Sequence, residues 1–250
     1  MSELIKDHKI TECPECKTRF KKYYVELLGR DLLAPGCDCY GKAYEQEKYS
    51  KRIDDLLEKS GIPIKYKNEN MKDWQKVPGT EKLTDIVRKY VIDLKNNVEL
   101  GKGMFVIGVK GTGKTKIQCY IGNKIIRKLR VNVYYISLAV FITKIEELKK
   151  NRGSVESYIN KYVNCSVLIL DDVGESNIDE WNRRYLFLLL DGRNNRKCVT
   201  LSNTMKTVEE NNKRIGDHNV SRILEMAGEN IVEIKSIKDM RFFKNREEQK

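Results

Sequence analysis

The chain has 250 residues, 40% of them hydrophobic and 34% charged, with a formal net charge of +12. That share of apolar residues can build a core in one medium domain carrying a smaller appendage, but apolar stretches such as residues 185–190 are far too short to span a bilayer. Residues 1–7 contain no apolar h-region, so the expected location is cytoplasmic, where the seven cysteines serve as metal ligands or buried thiols rather than disulfides.

The charge is unevenly placed. Residues 1–82 hold 17 Lys and Arg against 15 Asp and Glu, whereas the remainder holds 31 against 21. The excess therefore lies in the larger part, where it fits either a polyanionic partner or plain solubility.

In chain order, two cysteine pairs come first, Cys13-Pro14-Glu15-Cys16 and Cys37-Asp38-Cys39. Two pairs about twenty residues apart can furnish four thiolates for tetrahedral zinc, in a segment too small for a large core. Lys17, Arg19, Lys21 and Lys22 would offset the charge of such a site, and His8 is a substitute ligand. Four free cysteines or a redox pair satisfy the same spacing. Residues 45–58 then read as a charged helix with Tyr49, Ile53, Leu56 and Leu57 on one side. The SGIPIKY segment at 60–66 breaks it, and Val77-Pro78-Gly79-Thr80 marks a boundary. The expected division is an N-terminal module and linker over 1–76 and a catalytic domain over 77–250. Leu83, Ile86, Val87, Tyr90, Val91 and Leu94 recur at helical spacing.

From there strand candidates at 104–107, 133–136, 167–170, 198–202 and 230–234 alternate with helical segments. Alternation of this kind predicts an α/β fold with a parallel sheet covered on both faces. The first strand runs into Gly108-Val109-Lys110-Gly111-Thr112-Gly113-Lys114-Thr115, a P-loop pattern that opens a helix. Glycines at 108, 111 and 113 remove Cβ atoms, so successive backbone N–H groups can converge on one anion at a positive helix end. Lys114 is expected on the terminal phosphates of ATP and Thr115 on a magnesium ion. The third strand, Val167-Leu168-Ile169-Leu170, ends in Asp171-Asp172, a Walker B pattern. Asp171 would share the magnesium shell with Thr115, and Asp172 would polarise the attacking water.

One more strand follows and ends in TLSNT at 200–204. Additional-strand P-loop ATPases insert such a strand between the Walker A and Walker B strands, with a polar tip residue near the water, a sensor role that Asn203 fits. Cys119, Cys165 and Cys198 read as small buried residues of the core elements.

Taken together these pieces resemble the AAA+ helicase loaders of the DnaC/DnaI type, including phage versions. GVKGTGKT at 108–115, LILDDVG at 168–174, TLSNT at 200–204, GDHNVSRIL at 216–224 and KDMR at 238–241 carry the resemblance. SGIPIKY at 60–66 and, loosely, the paired cysteines extend it forward. The resemblance implies an ATPase that holds a hexameric replicative helicase through its N-terminal region and helps place it on single-stranded DNA. It also implies that Arg222 is an arginine finger acting on a neighbouring subunit's ATP, so that the protein self-associates, and that Arg241 is a second sensor. Where many AAA+ ATPases carry Asp-Glu, this chain has Asp171-Asp172, which implies slow turnover. The initiator-type relatives grip DNA near Leu138, Phe141, Ile142 and Ile145, with Lys144, Lys149, Lys150 and Arg152 as the basic track here. A core-facing helix with a solvated basic side explains the same stretch, Phe141 above all. An IstB-like transposition ATPase, a small-molecule P-loop kinase and a non-hydrolysing adaptor are the rival readings.

Overall fold

Apolar runs flanked by turns become strands when both faces are covered, and residues 104–234 follow that logic in a computed structural model. The structure describes residues 5–13, 16–25, 30–33, 38–68 and 81–234. The chain divides into two compact units, Met1–Asp54 and Asp55–Lys250. The boundary expected at 76/77 falls outside the described residues, as do Cys37 and Arg241.

The first unit holds an antiparallel sheet of β1 (Ile5–Glu12), β2 (Arg19–Val25) and β3 (Arg30–Leu33), in that order. β1 and β2 form a hairpin whose register pairs Glu12 with Arg19 and places the first cysteine pair in its turn. Helix α1 (Asp38–Lys59) follows and is longer than the 45–58 expected.

The second unit holds β4 (Met104–Gly108), β5 (Val133–Ser137), β6 (Val167–Asp171), β7 (Val199–Thr204) and β8 (Ile231–Ile234). They form one sheet of order β5-β6-β7-β4-β8, every neighbouring pair parallel. Its helices are α2 (Glu81–Ile92), α3 (Leu94–Glu99), α4 (Lys114–Leu129), α5 (Leu138–Lys150), α6 (Val155–Val163), α7 (Glu180–Asn195), α8 (Val208–Ile215) and α9 (Asp217–Ala227). Every residue of β6 and β7 is buried, whereas edge strand β8 alternates exposed and buried. Burial thus tracks strand position, because only the inner strands are covered on both faces. The two faces separate within β6. Leu168 and Leu170 join one core with Phe141, Leu186, Leu189 and Ile223 from α5, α7 and α9. Ile169 faces α4, where a Cβ added to Gly122 would lie 2.8 Å from its Cδ1. Gly122 therefore permits the close approach of helix to sheet.

The apolar pattern over 83–94 predicts one helix, yet the structure breaks it at Asp93, which stands at the N-cap position of α3 without a side-chain capping bond. Ahead of α2, the 60–66 segment docks onto this unit. Ser60 O accepts from the Tyr135 N–H at 2.7 Å, Tyr66 O accepts from Asn123 Nδ2 at 2.6 Å, and Ile62 is buried.

Candidate nucleotide site

The sheet order is what assembles the site. β7 inserts between β4 and β6, so the loop after β4, the end of β6 and the tip of β7 meet at one sheet edge. In open α/β sheets ligands collect at that carboxyl edge.

The loop at 108–115 leaves β4 and enters α4 through Gly113, which has φ 81° and no side-chain cap. Gly111 is also left-handed, at φ 84°. No side chain caps this first turn, which lies at the positive end of a 16-residue helix. Thr112 closes the loop by donating to Val109 O at 2.8 Å. The buried Lys114 curls over it, Nζ donating to Gly108 O at 2.7 Å and Val109 O at 3.0 Å. An ammonium held among loop carbonyls sits where a bound polyphosphate would compete for it.

Thr115 and Asp171, 56 residues apart in sequence, meet. The threonine hydroxyl donates to Asp171 Oδ1 at 2.8 Å, and Asp171 is itself 3% exposed. Asn203 approaches from β7, its Nδ2 donating to Asp171 Oδ1 and, at 2.7 Å, to Gln118 Oε1. Its Oδ1 accepts from the Asp172 N–H at 3.3 Å. Asp172 has φ 54°, an uncommon conformation that aspartate tolerates better than most residues. Burial, then the charges of Asp171 and Glu175, push its carboxyl above the usual carboxylate range, against a smaller pull from Lys114. A hydroxyl beside a buried carboxylate is the donor set that a hard, oxygen-seeking cation such as magnesium takes.

Arg222 lies on α9, where it donates to Asp191 Oδ1 at 3.0 Å and Glu225 Oε2 at 2.7 Å. These carboxylates raise its pKa, the Glu225 hydrogen bond first. Leu138, Phe141, Ile142 and Ile145 are all buried, so Phe141 is a core residue. On the same helix Lys144 pairs with Glu147 at 2.9 Å, and Lys149 lies 5.7 Å from the Tyr185 ring centroid.

In the first unit, the sulfur atoms of Cys13, Cys16 and Cys39 lie within 4.8 Å of one another. The Cys16 N–H donates to Cys13 Sγ at 3.5 Å, and Lys17 takes φ 59° where the hairpin turns. Thiolates around one zinc at about 2.3 Å stand close to this spacing.

Two residues absent from the sequence reading belong to the second unit's structure. Tyr135 donates its hydroxyl to Asp171 Oδ2 at 2.6 Å. Arg193 is fully buried and donates to carbonyls of α6, β7 and the turn before β6. Tyr135 becomes visible only once β5 is known to pair with β6. Arg193 carries no local signal that separates it from a solvated arginine.

A P-loop, a Walker B carboxylate and an intervening strand bearing a polar residue define a P-loop NTPase of the AAA+ class. A family model described as IstB-like ATP binding protein matches residues 88–235, and the chain belongs to that family. The replicative helicase loader DnaC of Escherichia coli strain K12 is 22% identical over 183 residues, covering 72% of this chain and 73% of its own length. The insertion sequence IS5376 ATP-binding protein of Geobacillus stearothermophilus is 24% identical over 173 residues, covering 68% and 65%. A crystal structure of the DnaC helicase loader shares the fold with a TM-score of 0.57 at 23% identity, covering 66% of this chain and 100% of that one. The resemblance to DnaC/DnaI-type AAA+ loaders therefore extends from the motifs to the fold. Among the described residues no helix is long and apolar enough to cross a membrane.

Proposed function

We propose that this chain is an ATP-dependent loader of a hexameric replicative helicase onto single-stranded DNA. The observation that carries the nucleotide part is the convergence of Thr115 and Asn203 on Asp171, beside Lys114 and an uncapped helix start. Similarity to a replicative helicase loader over 72% of the chain supports the loading part.

In this reading Gly108, Gly111, Thr112 and Gly113 shape the phosphate cradle, and Lys114 trades its loop carbonyls for the β- and γ-phosphates. Thr115 and Asp171 hold magnesium, which neutralises charge on the phosphates when bound. Asp172 takes the proton of the attacking water, and burial beside Asp171 and Glu175 raises its affinity for protons. Asn203 joins Asp171 to the Asp172 backbone, so it senses the state of both. Arg222 acts in trans by exchanging Asp191 and Glu225 for a neighbour's phosphates, which ties hydrolysis to assembly. Arg241 is the second sensor. Zinc is held by Cys13, Cys16 and Cys39, with Cys37 the fourth thiolate, in the unit that docks to the helicase. Lys144, Lys149, Lys150 and Arg152 contact the DNA backbone, and all of this takes place in the cytoplasm.

The second reading is a transposition ATPase acting with a transposase, favoured by the family model and by the insertion-sequence relative. Co-purification with the host's replicative helicase, with and without ATP, separates the two. A stable complex supports the loader. Capture of a transposase and no helicase would overturn it, and complex formation with no phosphate release on added DNA would mark a non-hydrolysing adaptor.

A further inference from the structure

We propose that Tyr135 is a positioning residue for the magnesium carboxylate, a role that rests on the nucleotide reading above. Asp171 stands on β6, between β5 and β7. Its two oxygens are held from both flanks: Asn203 on β7 donates to Oδ1, and Tyr135 on β5 donates to Oδ2 at 2.6 Å. Thr115 adds the donor from the phosphate loop. A carboxylate gripped from one strand alone can turn about its side-chain bonds, whereas opposed donors on separate oxygens fix its plane. A carboxylate that orients a cation's shell works through that direction, and small misplacements are costly.

Tyr135 is suited to the task in two ways. The ring is half-buried, which shields the bond to Asp171 from competing water. Its own backbone is tied down, since its N–H donates to Ser60 O at 2.7 Å, and a Cβ added to Gly61 would stand 3.1 Å from its carbonyl oxygen. The docked 60–66 segment therefore sets the position of the residue that sets Asp171.

The test is Tyr135→Phe, which keeps the ring and removes only the donor. Binding of a fluorescent ATP analogue (N-methylanthraniloyl-ATP) to the full chain is titrated against magnesium, and repeated in EDTA. The expected result is a rise of about tenfold in the magnesium concentration for half-maximal effect, as loss of one hydrogen bond to a charged group implies, with affinity in EDTA within about twofold of wild type. The EDTA measurement also reports that the variant is folded. An unchanged magnesium dependence would overturn the proposal. Equal weakening with and without magnesium would also overturn it, because that is a purely structural effect. A wild-type chain that binds no nucleotide would instead refute the nucleotide reading, and this proposal with it.

Discussion

Replacing Arg193 with methionine is expected to destabilise the second unit by about 2–4 kcal/mol. Arg193 sits in the last turn of α7 with none of its surface exposed. Its Nη1 donates to Tyr162 O at 2.5 Å and Cys165 O at 2.9 Å, its Nη2 to Val199 O at 2.5 Å, and its Nε to Thr200 Oγ1 at 3.0 Å. Nη1 also donates to Cys165 Sγ at 3.1 Å, so the partners are carbonyls, a hydroxyl and a thiol, none of them a carboxylate, and burial lowers the guanidinium pKa. One side chain thus joins the end of α6, the approach to β6 and the start of β7. Each carbonyl left bare in the interior costs about 1–3 kcal/mol, so three lose roughly 3–9 kcal/mol before relaxation. Methionine fills much of the volume and removes a buried charge whose desolvation itself costs several kcal/mol, which offsets part of that loss. Lysine keeps the charge without the planar fork, so Arg193→Lys is expected to be at least as damaging as Arg193→Met. Urea unfolding followed by circular dichroism measures both. A methionine variant within about 0.5 kcal/mol of wild type, or a lysine variant as stable as wild type, would refute the argument that the fork satisfies this junction.

Asp172→Asn tests the strained end of β6. A carboxyl whose folded pKa is raised binds its proton more tightly in the folded chain, so the stability linked to that proton is present at low pH and lost as pH rises through the raised value. The variant should therefore melt higher than wild type at pH 7.5, with the gain vanishing below about pH 4, and should turn over ATP at least about tenfold more slowly. A gain in melting temperature that persists at low pH would contradict the assignment. Asn203→Ala strips partners from Asp171, Gln118 and the Asp172 N–H together. Single-turnover phosphate release should fall by about a hundredfold while nucleotide affinity changes only a few-fold, and equal loss of both would argue against a sensor. Cys13→Ser, or treatment with EDTA, should abolish zinc content and helicase binding and leave ATP binding largely intact. Parallel loss of the two activities, read by pull-down and nucleotide titration, would contradict the division of labour.

Much of the nucleotide-binding unit was legible in the chain itself. The five strand segments lie within two residues of the observed ones, because continuous apolar runs and glycine-rich turns are local signals that neighbouring residues suffice to set. Thr115, Asp171 and Asn203 were each identifiable from motif spacing for the same reason. The N-terminal hairpin was not, since Lys9–Ile10–Thr11 and Lys21–Lys22–Tyr23 carry little apolar alternation and depend on each other for pairing. The break at Asp93 was equally hidden within a helical pattern that runs through it.

Only the tertiary structure decided which side chains share a place. Tyr135 reaches Asp171 because β5 pairs with β6 in parallel register, and Asn203 reaches it from the other side because β7 is inserted between β4 and β6. Arg193, one of 48 basic residues, is buried because three carbonyls from separate elements converge on it. Sequence periodicity reports what a residue does with neighbours three, four or two positions away. Partners 28 to 56 positions apart, as in the Arg193–Cys165 and Thr115–Asp171 pairs, are set by strand order and by the close packing of α4 on the sheet.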